Sequence, residues 1–109
     1  MLSWKDFKKV EMRVGTIIEA NDFPKARKAA YKLKIDFGEL GIKNSSAQIT
    51  RLYNKEDLIN KQIIAVVNFP PKQIASFISE CLVLGVLGED EDVTLLKPDI
   101  RVKNGSLIA

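Results

Sequence analysis

Apolar and polar residues alternate most strictly over residues 31–37, where Tyr31, Leu33, Ile35 and Phe37 interleave with Lys32, Lys34 and Asp36. A period of two sends successive side chains to opposite faces, so this stretch predicts a half-buried strand. Val14, Thr16, Ile18 and Ala20 alternate with Arg13, Gly15, Ile17 and Glu19, predicting an earlier strand that ends at Asn21-Asp22-Phe23-Pro24. Residues 25–30 read as a basic loop and residues 38–41 as a turn. A more polar strand follows over residues 42–50. Residues 62–69 (QIIAVVNF) and 81–87 (CLVLGVL) are almost uninterrupted apolar runs and predict central strands buried on both faces. Pro70-Pro71 must end the first of them. Residues 93–96 form a further short strand, and Asn104-Gly105 is a hairpin-type turn.

Two helices complete the pattern. Ser3 and Asp6 have the spacing of a capping pair, and Trp4, Phe7 and Val10 recur every third residue, predicting a short amphipathic helix over residues 3–9. Residues 54–60 read as a short helix or turn, with Asn54 as cap and Asp57 three positions on. The chain is therefore mainly β. Five strands with one short helix between the third and fourth is the order of an OB-fold barrel, here with an N-terminal helix and extra C-terminal strands; another small β-barrel is the alternative. Ile64, Val66, Leu82, Leu84 and Val86 are expected in the core with Leu33, Ile35 and Phe37.

The 109 residues suit one domain spanning residues 1–109, with no repeat and no linker. No apolar run reaches the ~18 residues of a membrane span, and the first residues lack an apolar signal core. With the single cysteine, Cys81, this favours a reducing, cytoplasmic setting. Histidine is absent, which removes Ser-His-Asp and Cys-His catalysis and histidine-based zinc sites. Charge is uneven: residues 1–34 carry nine Lys/Arg against four Asp/Glu, and residues 80–109 three against six. A basic first third under a modest net charge of +3 points to a local surface for an anionic partner.

No GxGxxG, GxxxxGK[ST] or GxSxG motif is present, and the acidic run over residues 89–92 lacks the spacing and glycine of an EF-hand. Enzyme chemistry, a metal and a cofactor are therefore not expected. Binding has more support. Lys43, Arg51 and Lys72 flank the polar stretches Asn44-Ser45-Ser46 with Gln48, and Asn68 with Gln73 and Ser76. Lysine and arginine meet phosphates, while hydroxyl and amide side chains reach sugars and base edges. The same stretches also fit a polar edge strand that resists aggregation.

Lys34-Ile35-Asp36-Phe37-Gly38, Gly41-Ile42-Lys43, Ser45-Ser46-Ala47-Gln48-Ile49, Asn68-Phe69-Pro70-Pro71-Lys72 and Ser79-Glu80 before Leu82-Val83-Leu84-Gly85 together resemble the tRNA-binding domain family. Within it, the likeness is greatest to the free-standing CsaA branch of protein-secretion chaperones and covers nearly the whole chain. The resemblance implies an OB-fold homodimer that binds tRNA without catalysis, and for that branch also unfolded or precursor polypeptides. It implies RNA-side roles for Lys43, Ser46, Gln48 and Arg51, and a signature of Asn68, Lys72, Ser79 and Glu80 around the Pro70-Pro71 turn. Synthetase-appended members often carry Gly-Met after the Ser-Glu pair, where this chain has Cys81-Leu82. Asn68 and Glu80 also suit purely structural roles, as a turn brace and a backbone acceptor. For polypeptide, Phe69, Ile74 and Phe77 are the candidate groove; exposure of Ile74, Phe77 and Ile78 would favour capture, and burial would make them ordinary core. Two alternatives stand beside this reading: a polypeptide chaperone with a vestigial RNA surface, and a free-standing accessory to aminoacylation.

Overall fold

A computed structural model describes residues 1–109. Helix α1 (Trp4–Lys8) begins as the sequence predicts: the Asp6 N–H donates to Ser3 Oγ at 3.1 Å and the Ser3 N–H to Asp6 Oδ2 at 3.4 Å, a reciprocal capping box. Its apolar side finds little cover, and Trp4 is 82% exposed.

Strands β1 (Met12–Asp22), β2 (Tyr31–Asp36) and β3 (Ile42–Ala47) form an antiparallel meander. Helix α2 (Lys55–Leu58) follows, with Leu58 driven into the core. Asn54 makes no backbone cap there; its amide meets the Asp57 carboxylate at 3.4 Å instead. Strand β4 (Gln62–Val66) returns along β1. The long β1 thus serves two partners, β4 over residues 12–16 and β2 over residues 16–22. A register shift between Ile17 and Glu19 lets the strand bend between them and turns Ile18 outward. Simple alternation in β1 therefore fails: Val14, Gly15, Thr16 and Ile17 are all buried. The C-terminal segment pairs along β1's edge, with the Val14 N–H donating to Ser106 O at 2.9 Å and the Gly105 N–H to Val14 O at 2.7 Å, and its Asn104 covers the second face by accepting from Thr16 Oγ1 at 2.7 Å.

The second apolar run is not one strand. It divides into β7 (Leu82–Val83), which pairs with β4, and β8 (Gly85–Leu87), which pairs with β9 (Val93–Leu95). Between β4 and β7 a hairpin of β5 (Lys72–Ile74) and β6 (Phe77–Ser79) stands out from the barrel, a pair the sequence pattern did not reveal. The sheet order β3-β2-β1-β4-β7 closes into a nearly complete five-stranded OB barrel. Closure between β3 and residues 79–81 uses side chains as well as backbone. The Glu80 N–H donates to Asn44 O at 2.8 Å, the Asn44 N–H to Glu80 Oε1 at 2.9 Å, the Ser46 N–H to Ser79 Oγ at 3.1 Å, and Ser45 Oγ to Cys81 O at 2.9 Å.

Ile17, Leu33, Ile35, Phe37, Leu58, Ile63 and Ala65 form the centre of the core. Gly15 makes room for it, since a Cβ there would lie 2.6 Å from Ile35 Cγ2 and 2.8 Å from the Phe37 ring. Leu33, Ile35, Phe37 and Val66 are buried as expected, but Ile64 and Leu84 are only half-buried, and Leu82 (48%) and Val86 (56%) are exposed. The inward set of β4 is Ile63 and Ala65, the alternate face to the expected one. An uninterrupted apolar run carries no mark of which alternate residues point inward.

Candidate nucleic-acid interface

OB barrels bind oligonucleotides on the face of strands 2 and 3 and on the loops joining strands 1–2 and 4–5. In this chain those loops are residues 23–30 and residues 67–81, the latter holding the β5–β6 hairpin. The second of these loops, with the end of β3, frames a cleft of 360 Å³. Ser46 and Gln48, the run Phe69, Pro70, Lys72 and Ile74, and Ser79 to Leu82 line it. A groove of 730 Å³ shares Ser46, Gln48, Lys72 and Ile74 with this cleft and runs on to Lys25, Arg27 and Lys28. Four cations and no carboxylate line the groove, so its field favours an anion.

Local structure sets these side chains. Proline fixes φ, so Pro70-Pro71 ends β4's continuation stiffly and holds Phe69 at the rim, 55% exposed. The hairpin then presents Lys72 and Ile74 on β5, with Lys72 paired opposite Ser79. Ser79 and Glu80 face the cleft while their side chains accept from the β3 backbone. Cys81 is buried below them, and desolvation pushes its thiol up to about 11, against a smaller lowering by the neighbouring Ser45 hydroxyl.

The structure brings Ser46, Gln48, Lys72, Ser79 and Glu80 together, with Phe69 and Ile74 from the polypeptide set. Lys43, Arg51 and Asn68 lie outside this cleft. Lys43 sits half-buried on β3 opposite Ile35. Arg51 pairs with Asp92 at 2.9 Å. Asn68 clamps the two ends of a chain reversal: its Oδ1 accepts from the Glu11 N–H at 3.0 Å, and its Nδ2 donates to Lys9 O at 2.7 Å. Phe77 is half-buried and meets the Phe23 ring edge-on at 5.4 Å between centroids, with Lys32 Nζ over the same Phe23 ring at 5.7 Å. Ile74 is half-buried and Ile78 exposed, so the residues named as a discriminator divide. Lys25, Arg27 and Lys28 were legible as a basic loop but not as part of a site. Their position between the first two strands of an OB order was the signal that could have found them.

Residues 12–107 match the family model described as "Putative tRNA binding domain". The chain belongs to the tRNA-binding domain family. Among solved structures, the chaperone CsaA of Bacillus anthracis is 54% identical with a TM-score of 0.95, covering 100% of this chain and 99% of that one. The CsaA chaperone protein of Picrophilus torridus is 59% identical with a TM-score of 0.94, and both chains are covered completely. The methionine–tRNA ligase of Leptospira biflexa is 39% identical over 103 residues, which is 94% of this chain but 15% of that enzyme. This tRNA-binding domain thus spans a small part of such ligases and the full length of the CsaA chaperones. No helix is long and apolar enough to cross a membrane.

Proposed function

We propose that this chain is a non-catalytic binding module that holds tRNA along the cleft and its cationic groove. The observation that carries this reading is the convergence of Lys72, Gln48 and Ser46 with Lys25, Arg27 and Lys28 on the face OB barrels use for nucleic acid. The groove cations take phosphates, and in this reading Lys43 on β3 and Arg51, which pairs with Asp92, meet the RNA outside the cleft. Ser79 and Glu80 tie the cleft to β3, and Asn68 braces the chain reversal that precedes Phe69. The module works as one unit over residues 1–109, as a homodimer, in the cytoplasm where tRNA is found.

Neutralised phosphates release counterions, so log K falls with log salt by about 0.7–0.9 for each phosphate contacted. The test is a salt titration of wild type, Lys43→Ala and Lys72→Ala against tRNA and a length-matched unstructured RNA. Wild type should prefer tRNA, and each variant should lose about one unit of slope. Absence of a tRNA preference, with both variants keeping the wild-type slope, would sink the reading.

A second reading is polypeptide binding, as in a secretion chaperone. Exposed Phe69 beside Ile74 gives the cleft an apolar wall, and the full-length neighbours are CsaA chaperones. An unfolded polypeptide that competes with tRNA for wild type but not for Phe69→Ala would support a shared cleft.

A further inference from the structure

Resting on the tRNA reading above, we propose that the 360 Å³ cleft takes one everted, amino-bearing base, stacked on Phe69 and hydrogen-bonded by Glu80. The flanking phosphates lie in the cationic groove.

The two hollows differ in chemistry although they share a wall. The groove has cations and no carboxylate, which suits a phosphate backbone. The cleft sets one carboxylate, Glu80, against one cation, Lys72, beside an apolar wall, so it favours phosphate less than the groove does and welcomes a flat, weakly polar group that carries donors. Phe69 supplies the flat partner. Its ring is more than half exposed at the rim, and the two prolines after it limit the backbone's freedom. Every base has a π-face, so stacking on such a ring contributes whatever the base.

Glu80 supplies the selection. The Asn44 N–H holds Oε1 at 2.9 Å, which fixes the carboxylate and leaves Oε2 as the acceptor for a ligand. Guanine presents an N1–H and an amino group side by side, and adenine and cytosine each present an amino group. Uracil presents one N–H between two carbonyls, which a carboxylate repels. Lys72 lines both hollows and so stands where the base's own phosphate must pass. Single-stranded RNA bases splayed onto an aromatic side chain and read along their Watson–Crick edges are a recurrent mode of recognition.

The test uses the full chain and hairpin RNAs of one stem that differ in a single unpaired loop position: guanosine, adenosine, cytidine, uridine or an abasic site. Dissociation constants are measured by fluorescence anisotropy at fixed salt, alongside a tRNA salt titration. Wild type should bind the three amino-bearing hairpins about tenfold tighter than the abasic one, with uridine between. Phe69→Ala should lose most of that preference and leave the abasic affinity unchanged. Glu80→Gln retains an oxygen for the Asn44 N–H and should bring uridine level with the others. Phe69 is a surface residue, so its variant stays informative even if Glu80→Gln melts early. Equal affinity for abasic and base-bearing hairpins, with the tRNA preference and salt slope intact, overturns the base pocket and leaves the tRNA reading standing. Loss of affinity for unfolded polypeptide alone in Phe69→Ala overturns it in favour of a peptide groove. Absence of tRNA preference in wild type overturns the underlying reading itself.

Discussion

Asn68 shows how a signature residue can act through geometry. Both ends of its amide are engaged, tying the exit of β4 to Lys9 and Glu11 at the entry to β1. Asn68→Ala should cost about 1–2 kcal/mol by urea unfolding, since two partly solvated hydrogen bonds are lost. If Asn68 braces the chain and does not touch RNA, the salt slope of tRNA binding stays at the wild-type value. Cys81 permits a second prediction at this scale. Burial raises its thiol to about 11 from an ordinary value near 9.0, so the folded state keeps the proton over a range where the unfolded state releases it. Its contribution is complete below about pH 9 and declines as pH rises towards 11. Wild type should therefore lose up to about 2–3 kcal/mol more than Cys81→Ala between those limits, read as the difference between two urea-unfolding pH series. A constant difference across that range would mean the thiol is not desolvated.

Among the elements, those with strict periodicity or strong punctuation were legible and the others were not. Strand β2 alternates in burial as it does in sequence, because only one of its faces meets the core. The α1 capping box and the break at Pro70-Pro71 follow from local chemistry that no distant contact alters. Strand β1 misleads because a bulge reverses its faces midway and the C-terminal segment buries the second one. The β5–β6 hairpin was hidden because each strand has three residues, too few to show a period. The site was legible to the same degree. Ser46, Gln48, Lys72, Ser79 and Glu80 do converge, whereas Lys43 and Arg51 share only charge with them. The corrected facing of β4 has a measurable consequence. Ile63→Ala should cost about 2–5 kcal/mol, as a fully buried site that cannot collapse. Leu84→Ala, at a half-buried position, should cost clearly less in the same urea titration. Equal costs would place both residues in one core layer and contradict the pairing described.

At the scale of the molecule, the apolar surface is larger than one protomer needs. Trp4, Val86, Leu87 (84% exposed), Ile100 and Leu107 all face solvent. Isolated exposed leucines are ordinary, but a helix of five residues with an uncovered tryptophan is too short to persist by itself. The proposed homodimer gives these residues a partner through a two-fold contact, with α1 and the segment from Pro98 onward contributing to or bracing it. Sedimentation at micromolar concentration should give twice the 12.2 kDa chain mass. Leu87→Asp places a charge in the proposed contact and should give the 12.2 kDa monomer with its fold intact by circular dichroism. Dimerisation also bears on tRNA. Two grooves on one rigid particle bind a large folded RNA with avidity only if both can reach it at once. The monomeric variant should then lose affinity for tRNA and about half the salt slope, yet bind a short hairpin as the dimer does. A wild-type particle of 12.2 kDa would dismiss the homodimer. A dimer whose dissociation leaves the tRNA slope unchanged would mean that each groove works alone.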